Sequence, residues 1–566
     1  MTITEIRQRL ANKNLDALIV THNNRFLGQD ILPQEHKLQH LCGFSGSAGA
    51  LIISRDKAWL FVDGRYELQA AAEVDTAQIE IIHEPPYTNN LFNFLREKGL
   101  TEIAFDAWCL SVAEVENITR RYKEMRLTDV GDWLNLDTAE PVAVLSRDVR
   151  YAGQSREQKC QIVANMLWEK HADYLLLTAA DSVSWLCNIY ARDLPYTPIV
   201  RAYAVISLHG EVTLYGSNLQ SADIPTKSWD DLLDFLHQSA GHTILYDAHT
   251  TPWRLKQATP PETDLIKTPD ICQLLKAEKN PTELQGMINC HIRDGVALCK
   301  FLYWLEQQPL GLTELDVVAK LHQFRAEQAD FFSESFATIA GFGSNGAIVH
   351  YQPTPQTNKT LSDGNLLLLD SGGQYLDGTT DVTRTIPIGT VSDEMITDFT
   401  QVLKAHIALA RTRFTQNTSG MKLDVLARAQ MWQRGLDYKH GTGHGVACFG
   451  NVHEGPQSIS VGGSPYGLKP NMVVSDEPGV YKENAYGIRI ENLLYTRAAD
   501  LPDAPDFLEF AVLTKVPIDK RLINVYLLEQ GELEWLNAYH RQVYKDIAPH
   551  LSGDEQRWLQ KACSPL

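Results

Sequence analysis

Several carboxylates in the C-terminal half of the chain lie beside strongly apolar, strand-like runs. In LLLLDSGGQYLDGTTDVTRT, Asp370 ends a run of four leucines and is followed by Asp377 and Asp381. Two glutamates, Glu477 and Glu491, flank a second strand-like pair further on. An unpaired carboxylate is costly to bury, so such groups are paired, protonated or bound to a cation. Their positions therefore indicate ion-binding chemistry.

A histidine cluster lies between the two groups of carboxylates. The segment HGTGHGVACFGNVHEGP contains His440, His444 and His453, in a chain with 18 histidines in 566 residues. Its alternating glycines let the backbone approach another group closely. A lone histidine is more often a core or surface residue than a ligand, but this cluster accompanies four carboxylates. The combination favours a metal site.

Two aspartates, two glutamates and one histidine form an oxygen-rich ligand set. One divalent ion needs fewer carboxylates, whereas two ions that share bridging carboxylates use all of them. The set suits manganese, zinc, cobalt or iron, and its oxygen content favours manganese. Two ions roughly 3.5–4 Å apart serve hydrolysis. The alternative is a structural ion-pair cluster with Arg384 and Arg489, which is disfavoured because two arginines cannot neutralise four carboxylates.

The first pair of aspartates must be positioned by a hairpin. A two-residue turn at Asp377-Gly378 is a strong hairpin signal, but it leaves Asp370 far from Asp381. A wider loop centred near residues 375 and 376 brings these two aspartates together. We predict the wider loop, with Asp377 as a turn residue.

The second hairpin is predicted from MVVSDEPGVYKENAYGIRIENLLY, with its turn at KENAYG. Asn484 is the midpoint between Glu477 and Glu491, so the two glutamates are expected to face each other. Side chains alternate along a strand, which places Arg489 and Glu491 on one face and isoleucines on the other. The polar face is therefore expected to point into a cavity.

The N-terminal half of the chain has the pattern of a duplicated α/β module. LDALIVTHNN (15–24) and ADYLLLTAADSVSWL (172–186) each contain a buried strand that runs into a polar turn. An amphipathic stretch precedes each strand, and two further strand-like runs follow it. These matched patterns predict an internal repeat. Linkers are expected near 138–150 and 260–270.

Composition limits the class of protein. A chain of 566 residues is too long for one core, and 44% hydrophobic with 21% charged residues is typical of soluble proteins. The net charge of -19 disfavours nucleic acid and anionic membranes as partners. No apolar run reaches the roughly 20 residues of a membrane span, and the N-terminus lacks a secretory signal. The nine cysteines show no paired spacing, so we expect a cytoplasmic protein.

The ordered set of motifs resembles the aminopeptidase P (Xaa-Pro aminopeptidase) family of pita-bread metallopeptidases, in its long three-domain cytosolic form. The matching segments span the chain and are CGFSGSAGALII, LFVDGRYELQA, DSVSWLCNI, SNGAIVHYQP, DSGGQYLDGTTDVTRT, HGTGHGV, NVHEGP, SDEPGVY and GIRIEN. The implied fold class is α/β (α+β). It comprises two related creatinase-like N-terminal domains, residues 1–148 and 149–274, and a pita-bread metallopeptidase catalytic domain with a C-terminal extension, residues 275–566.

The resemblance also implies a role for each candidate metal ligand. Asp370 and Asp381 would bind metal, with Asp381 as a bridge. His444 and Glu477 would hold the other ion, and Glu491 would bridge both. Glu477 is also expected to act as the proton acceptor in catalysis.

Further residues are implied to contact the substrate. His350 and His453 match histidines that act at the scissile bond, and His444 is assigned to substrate binding as well as to metal. Arg489 matches the arginine beside the bridging glutamate, and Arg65 in DGRY matches a peptide-contacting arginine of the N-terminal domain. His440 lies near the site with an open role. Phe342 and Tyr351 are expected to form an apolar shelf for proline.

The implied function is release of the N-terminal residue from peptides with proline at the second position. A water or hydroxide that bridges two divalent metal ions, with manganese favoured, would attack the peptide bond in a homodimeric enzyme. The alternatives are a prolidase-type Xaa-Pro dipeptidase and a non-catalytic pita-bread peptide-binding protein. Activity on tripeptides would distinguish an aminopeptidase from the dipeptidase. Retention of all five ligand positions disfavours the non-catalytic protein.

Overall fold

The computed structural model describes residues 1–28, 31–134, 140–308 and 310–566. The linker predicted at 138–150 begins at two residues that lie outside the described ones. The chain forms two compact units. Unit 1 comprises Met1–Val149, Gln154–Leu194 and Ile199–Cys272, and unit 2 comprises Arg150–Gly153, Pro195–Pro198 and Gln273–Leu566.

The first half of unit 1 is an α/β module built on a six-stranded sheet of order β4-β3-β2-β1-β5-β6. Its central strand β1 is antiparallel to β2 and parallel to β5. In chain order the elements are α1 (Ile3–Asn12), β1 (Ala17–Thr21), α2 (Lys37–Cys42), β2 (Ala50–Ser54), β3 (Ala58–Phe61), α3 (Glu67–Glu73), β4 (Glu80–Ile82), α4 (Thr88–Glu97), β5 (Glu102–Phe105), α5 (Val112–Arg121) and β6 (Arg126–Asp129).

The second half of unit 1 repeats this arrangement with the sheet order β14-β12-β11-β9-β15-β16. Its central strand β9 is antiparallel to β11 and parallel to β15. The predicted duplication is therefore confirmed. In chain order the elements are β7 (Val142–Ala143), β8 (Leu145–Ser146), α6 (Val149–Ala152), α7 (Arg156–Glu169), β9 (Tyr174–Leu177), α8 (Ala180–Cys187), β10 (Ile189–Tyr190), β11 (Tyr203–Ser207), β12 (Val212–Tyr215), β13 (Leu219–Gln220), β14 (Thr226–Lys227), α9 (Trp229–His237), β15 (Thr243–Tyr246), α10 (Trp253–Ala258) and β16 (Asp264–Lys267).

The helices that precede the two central strands begin in the same way. Thr2 caps α1 and Ser155 caps α7, each within a capping box. Such a box satisfies backbone N–H groups that the first helical turn leaves without partners. Each helix then buries its apolar face against its own sheet.

Unit 2 contains the last three residues of α6 and the remaining helices and strands, except that the first two residues of α11 belong to unit 1. In chain order they are α11 (Ile271–Ala277), α12 (Pro281–Glu306), α13 (Glu314–Ala326), β17 (Phe331–Glu334), β18 (Ile339–Phe342), β19 (Asn365–Ser371), β20 (Gly373–Tyr375), β21 (Gly378–Thr379), β22 (Val382–Ile388), α14 (Asp393–Ala410), β23 (Arg413–Thr415), α15 (Gly420–Trp432), β24 (Gly443–Gly445), β25 (Glu454–Ile459), β26 (Val473–Asp476), β27 (Gly479–Lys482), β28 (Tyr486–Arg489), β29 (Asn492–Ala498), β30 (Phe507–Val512), α16 (Gln530–Ile547) and α17 (Gly553–Ala562).

Two antiparallel sheets of unit 2 hold the candidate ligands. One has the order β18-β19-β22, and the other has the order β23-β30-β29-β26-β24-β25. The core of the unit includes the buried faces of α14, α15 and α16 together with apolar residues of β26, β28 and β29. Among the described residues, no helix combines the length and the apolar composition that a bilayer crossing requires.

The first hairpin differs in register from its prediction. Strands β19 and β22 pair with Asp370 opposite Thr383, and the ladder continues through β20 and β21, where Tyr375 faces Gly378. The loop is thus a two-residue turn at residues 376 and 377, one position beyond the expected centre. Asp370 and Asp381 are diagonal neighbours on one face instead of direct partners.

The second hairpin has the predicted register. In β27 and β28, Gly479 pairs with Arg489, and the symmetry of the ladder centres on Asn484. The same register continues in β26 and β29, where Asp476 pairs with Asn492. Glu477 and Glu491 lie between these two ladders, as the sequence predicted.

Candidate metal centre

The five predicted ligands converge in unit 2. Nε2 of His444 lies 3.6 Å from Oδ2 of Asp381 and 3.3 Å from Oε1 of Glu477. Ligand atoms of Asp381, His444 and Glu491 all lie within 4.8 Å of one another. Asp370 shares a strand face with this group through its diagonal relation to Asp381. The side chains therefore surround one small volume.

The carboxylates of this site repel one another in a buried setting. Burial, reinforced by the charges of neighbouring carboxylates, raises the pKa of Asp381 and of Glu491 well above the usual range. Burial also raises the pKa of Glu477 to about 8, against the opposing charge of Arg489. A cluster of this kind stabilises cations or protons in its centre.

Three carboxylate oxygens at the site fit the requirements of a cation. Oδ1 of Asp370, Oδ1 of Asp381 and Oε1 of Glu491 are buried and accept no hydrogen bond from the described part of the chain. Buried acceptors of this kind are normally satisfied. With His444 and Glu477 alongside, they supply a donor set that fits two divalent ions sharing carboxylate bridges.

Arg489 neutralises only part of this charge. Its Nη2 donates to Oδ2 of Asp370 at 2.6 Å, and its Nη1 donates to the hydroxyl of Tyr481 at 2.7 Å. That hydroxyl also lies 2.9 Å from Nε2 of His440. His440 thus contacts the site through the hydroxyl of Tyr481. The structure assigns this contact to a histidine whose role the sequence left open.

Arg384 does not act as a counter-charge for the carboxylates. Its buried guanidinium donates to the backbone oxygen of Glu491 at 2.7 Å and to Oδ1 of Asn492 at 2.8 Å. It also donates to the carbonyl of Val516 at 2.7 Å and to the hydroxyl of Tyr539 at 2.9 Å. The ion-pair interpretation therefore leaves Arg489 alone to neutralise four carboxylates. Arg384 instead fixes the backbone of Glu491, one of the predicted ligands.

Small polar residues two positions from the ligands orient the carboxylates. The hydroxyl of Thr383 donates to Oε2 of Glu491 at 2.7 Å. Ser475 donates to Oε1 of Glu477 at 3.0 Å, and its hydroxyl accepts from the backbone N–H of His444 at 2.9 Å. These residues were absent from the sequence-based prediction.

The alternation of side chains along a strand could have identified these residues. Ser475, Glu477 and Tyr481 are separated by even numbers of positions, as are Asp381 and Thr383. Residues at such spacings share one face of a strand. The polar partners that the sequence-based prediction missed therefore lie an even number of positions before or after a predicted ligand.

A second buried network lies behind the ligand strands. Nδ1 of His406, on α14, lies 3.0 Å from Oδ2 of Asp476. Its Nε2 lies 3.0 Å from Nδ2 of Asn492. Asp476 and Asn492 directly adjoin Glu477 and Glu491, so α14 holds both ligand strands from the side opposite the cluster.

His453 and His350 are placed differently with respect to the cluster. The ring of His453 packs edge-on against that of His444, with centroids 4.3 Å apart. His350 follows Val349, whose carbonyl lies 3.5 Å from Nη1 of Arg489. Both histidines therefore belong to segments that border the carboxylates.

The segment that contains His350 is held by a buried carboxylate on α13. Glu314 is 0% exposed and accepts from the N–H of Phe342 at 2.7 Å, from Nδ2 of Asn345 at 2.9 Å and from the hydroxyl of Tyr351 at 2.8 Å. The N–H of Lys359 donates to it at 2.9 Å. Phe342 and Tyr351 are each 6% exposed, and the expectation that they form a shelf for proline stays a prediction.

His453 is followed by a buried acidic residue with two lysine partners. Glu454 lies in β25 and accepts from Nζ of Lys276 at 2.6 Å and from Nζ of Lys279 at 2.5 Å. All three side chains are at most 3% exposed. A buried carboxylate needs such partners, and their presence fixes the start of the strand beside His453.

Arg65 belongs to unit 1. It follows β3, and its guanidinium pairs with Asp63 at 2.7 Å. Burial opposes the charge of Arg65, but the hydrogen bonds to Asp63 raise its pKa above the usual value. Its predicted role in peptide binding stays a prediction.

Comparison with known families covers nearly the entire chain. Residues 285–498 match metallopeptidase family M24, and residues 506–566 match the C-terminal region of that family. Residues 3–136 and 137–283 each match a creatinase/prolidase N-terminal domain. A probable Xaa-Pro aminopeptidase P of Laccaria bicolor is 36% identical, over 100% of this chain and 93% of its own length.

The chain belongs to the aminopeptidase P branch of the M24 metallopeptidases. Xaa-Pro aminopeptidase 1 of Dictyostelium discoideum, 31% identical over 100% of this chain and 96% of its own, supports the same membership. The structure is similar to the X-prolyl aminopeptidase of Caenorhabditis elegans, with a TM-score of 0.91, 30% identity, and coverage of 98% of this chain and 95% of that chain. That protein is described as a cytosolic enzyme with a di-nuclear active site.

Membership of this family also accounts for the pita-bread fold that was expected for the catalytic domain. Prolidase from Pyrococcus horikoshii OT3 has a TM-score of 0.50 and 21% identity, and covers 64% of this chain and 99% of its own. This similarity shows the shared fold alone. The aminopeptidase P similarity, by contrast, includes both N-terminal modules, so the recognised family and fold class are confirmed.

Proposed function

We propose that this protein is a metal-dependent aminopeptidase that releases the N-terminal residue from peptides with proline at the second position. The observation that carries this proposal is the convergence of two aspartates, two glutamates and a histidine with three unsatisfied carboxylate oxygens. The full-length similarity to Xaa-Pro aminopeptidases supports the same activity.

The ligand residues would hold two divalent ions. Asp370 and Asp381 would contact one ion, His444 and Glu477 the other, and Asp381 and Glu491 both. When bound, the ions supply an activated water and stabilise negative charge on the attacked carbonyl. Manganese is the metal proposed here, because four of the five ligands are carboxylates.

The protein side chains would manage protons and substrate position. Glu477 would accept a proton from the attacking water and pass it towards the leaving nitrogen. His453 and His350 would donate hydrogen bonds to the carbonyl oxygen as negative charge develops on it. Arg489 holds Asp370 in place, and Arg65 would contact the peptide from the N-terminal domain.

The proposal extends to the setting of the enzyme. We place the domain boundaries at residues 148/149 and 274/275, with a C-terminal extension on the catalytic domain. We propose a cytoplasmic homodimer whose partners are peptides with N-terminal Xaa-Pro. The net charge of -19 supports the absence of nucleic acid and membrane partners.

The test measures hydrolysis of Arg-Pro-Pro and of the dipeptide Arg-Pro by metal-stripped protein before and after addition of Mn²⁺, Zn²⁺ or Co²⁺. We expect arginine to be released from the tripeptide only after metal addition, and fastest with Mn²⁺. Cleavage of the dipeptide alone would favour the prolidase alternative. Hydrolysis that is equally fast in the stripped protein would overturn the metal-dependent assignment.

A variant pair tests the ligand assignment within one hairpin. Glu491→Gln should abolish turnover and leave one metal ion bound, because a bridging carboxylate is lost. Glu483→Gln removes the same charge from the exposed turn of that hairpin and should keep full activity. Metal content measured on both proteins distinguishes loss of the ion from misfolding. Full activity of Glu491→Gln would contradict the site.

A further inference from the structure

Unit 2 contains a cavity that is separate from the carboxylate site. Its volume is about 350 Å³, and it lies among α12, β22, the segment 517–521 and α17. Small-molecule sites typically start near 300 Å³, so the cavity is large enough for a ligand. The proposed metal ligands are not among the residues that line it. Its walls are mostly apolar and include Leu302, Leu305, Ile386, Ile388, Pro517 and Trp558.

The polar rim of this cavity carries excess positive charge. Arg521 is paired with Asp519 at 2.6 Å, and Glu306 accepts from Nε1 of Trp558 at 2.7 Å. Lys520 and Lys561 also line the cavity. Within the described residues, neither ammonium has a carboxylate within ion-pair distance, although Asp519 is near enough to Lys520 to act on its charge.

The two lysines act on each other. Nζ of Lys520 donates to the carbonyl of Lys561 at 3.0 Å, to the carbonyl of Ser564 at 2.7 Å and to the hydroxyl of Ser564 at 2.6 Å, which holds the ammonium at the end of α17 and occupies its three N–H donors. Burial lowers the pKa of Lys520, Cys563 and Asp519 oppose that shift, and the positive charge of Lys561 adds to it. An anion at the rim would relieve this repulsion. In a chain with a net charge of -19, such a local excess of cations is a specific feature.

We propose that this cavity binds an amphipathic carboxylate, namely a straight acyl chain of about eight to ten carbons whose carboxylate lies at the rim beside Lys520 and Lys561. The apolar walls take the acyl chain, because its burial there removes apolar surface from water. Lysine supplies point charges that suit a single carboxylate, and within the described residues neither ammonium forms an ion pair with an acidic residue.

The cavity shares a strand with the metal centre. Arg384 and Thr385 line the cavity and lie in β22, which begins at the residue after Asp381. Thr385 donates its hydroxyl to the carbonyl of Arg489 at 2.9 Å and accepts from its N–H at 3.1 Å. A ligand in the cavity would thus contact β22, the strand that supports the carboxylate site.

The test is calorimetric titration of the full-length protein with decanoate, with decanol and decyltrimethylammonium as uncharged and cationic probes. We expect decanoate to bind once per chain and at least tenfold more tightly than either probe. Equal affinity for all three would contradict the role of the lysines. Many weak, non-saturating events would identify detergent-like adsorption and overturn the site.

Variants locate the binding event. Lys561→Glu should weaken decanoate binding at least tenfold, whereas Lys545→Glu, the same charge change at an exposed position of α16, should leave it unchanged. Ile388→Trp, which fills the cavity, should abolish binding. Glu491→Gln should bind decanoate normally, so failure of the peptidase proposal does not affect the result. Unaltered binding by Lys561→Glu, with an unchanged melting temperature, would refute the proposal.

Discussion

The carboxylate of Glu314 offers a sharp test of how the His350 segment is positioned. Glu314→Gln replaces one carboxylate oxygen by an NH₂ group. In one orientation this group faces the N–H of Lys359 and the hydroxyl of Tyr351, and in the other it faces the N–H of Phe342 and Nδ2 of Asn345. Either orientation leaves at least one buried backbone N–H facing a donor. The variant keeps the size of the side chain, so the change is one of hydrogen bonding.

The expected magnitude follows from these contacts. Loss of one hydrogen bond to a carboxylate costs about 1.5–3 kcal/mol, and a buried donor left unsatisfied adds about 1–3 kcal/mol. We therefore expect Glu314→Gln to destabilise unit 2 by about 3 kcal/mol. The segment that precedes Tyr351 contains His350, so its displacement should lower kcat for Arg-Pro-Pro by about tenfold, equivalent to about 1.4 kcal/mol in the activation free energy.

The matched control lies two residues away on the same helix. Asp316 is an exposed carboxylate that accepts from the N–H of Thr313 at 2.8 Å and from its hydroxyl at 2.7 Å, within the capping box of α13. Asp316→Asn should cost about 1 kcal/mol or less and leave kcat unchanged. Thermal denaturation and steady-state kinetics compare both variants. Wild-type kcat in Glu314→Gln, with a stability loss no larger than that of the control, would refute the reasoning.

Two further predictions concern Tyr481 and His540. Tyr481→Phe removes the acceptor at Nη1 of Arg489, so kcat should fall about tenfold with the melting temperature lowered by a few degrees; unchanged pH-rate and kcat values would show that the hydroxyl is dispensable. Burial, together with the charges of Lys520 and Arg384, lowers the pKa of His540 to about 3. The unfolded chain then binds the proton first, so this residue removes about 1.4 kcal/mol of stability per pH unit below about 6.5. His540→Gln should lose less stability than wild type between pH 6.5 and 5.5 in denaturant titrations; parallel losses would contradict the shift.

The sequence predicted those parts of the fold that depend on local patterns. The duplicated module followed from apolar strands with matched flanking helices, because burial of a central strand requires such runs. The second hairpin was placed correctly since its turn, its alternation and its two glutamates all agreed on Asn484. The candidate ligands were selected by their chemistry, because buried carboxylates in this number require cations, and their assignment to metal stays a prediction.

The remaining features depend on contacts between distant segments. The turn of the first hairpin lies one residue from its predicted centre, because the ladder continues through β20 and β21, and β20 also pairs with β17. A sequence pattern does not record such a pairing. The partners of Arg384 were likewise not predictable from the sequence, since Asn492 and Tyr539 lie 108 and 155 positions away. The disfavoured ion-pair alternative counted Arg384 as a counter-charge, whereas its guanidinium donates to backbone carbonyls.

The bonds of Arg384 have a consequence for the order in which the protein is made. The guanidinium links the carbonyl of Glu491 to Val516 and Tyr539, residues that follow it in the chain. During synthesis, domains assemble as units while the nascent chain is extended. The backbone at Glu491 therefore acquires its full set of contacts only after α16 has joined the rest of unit 2.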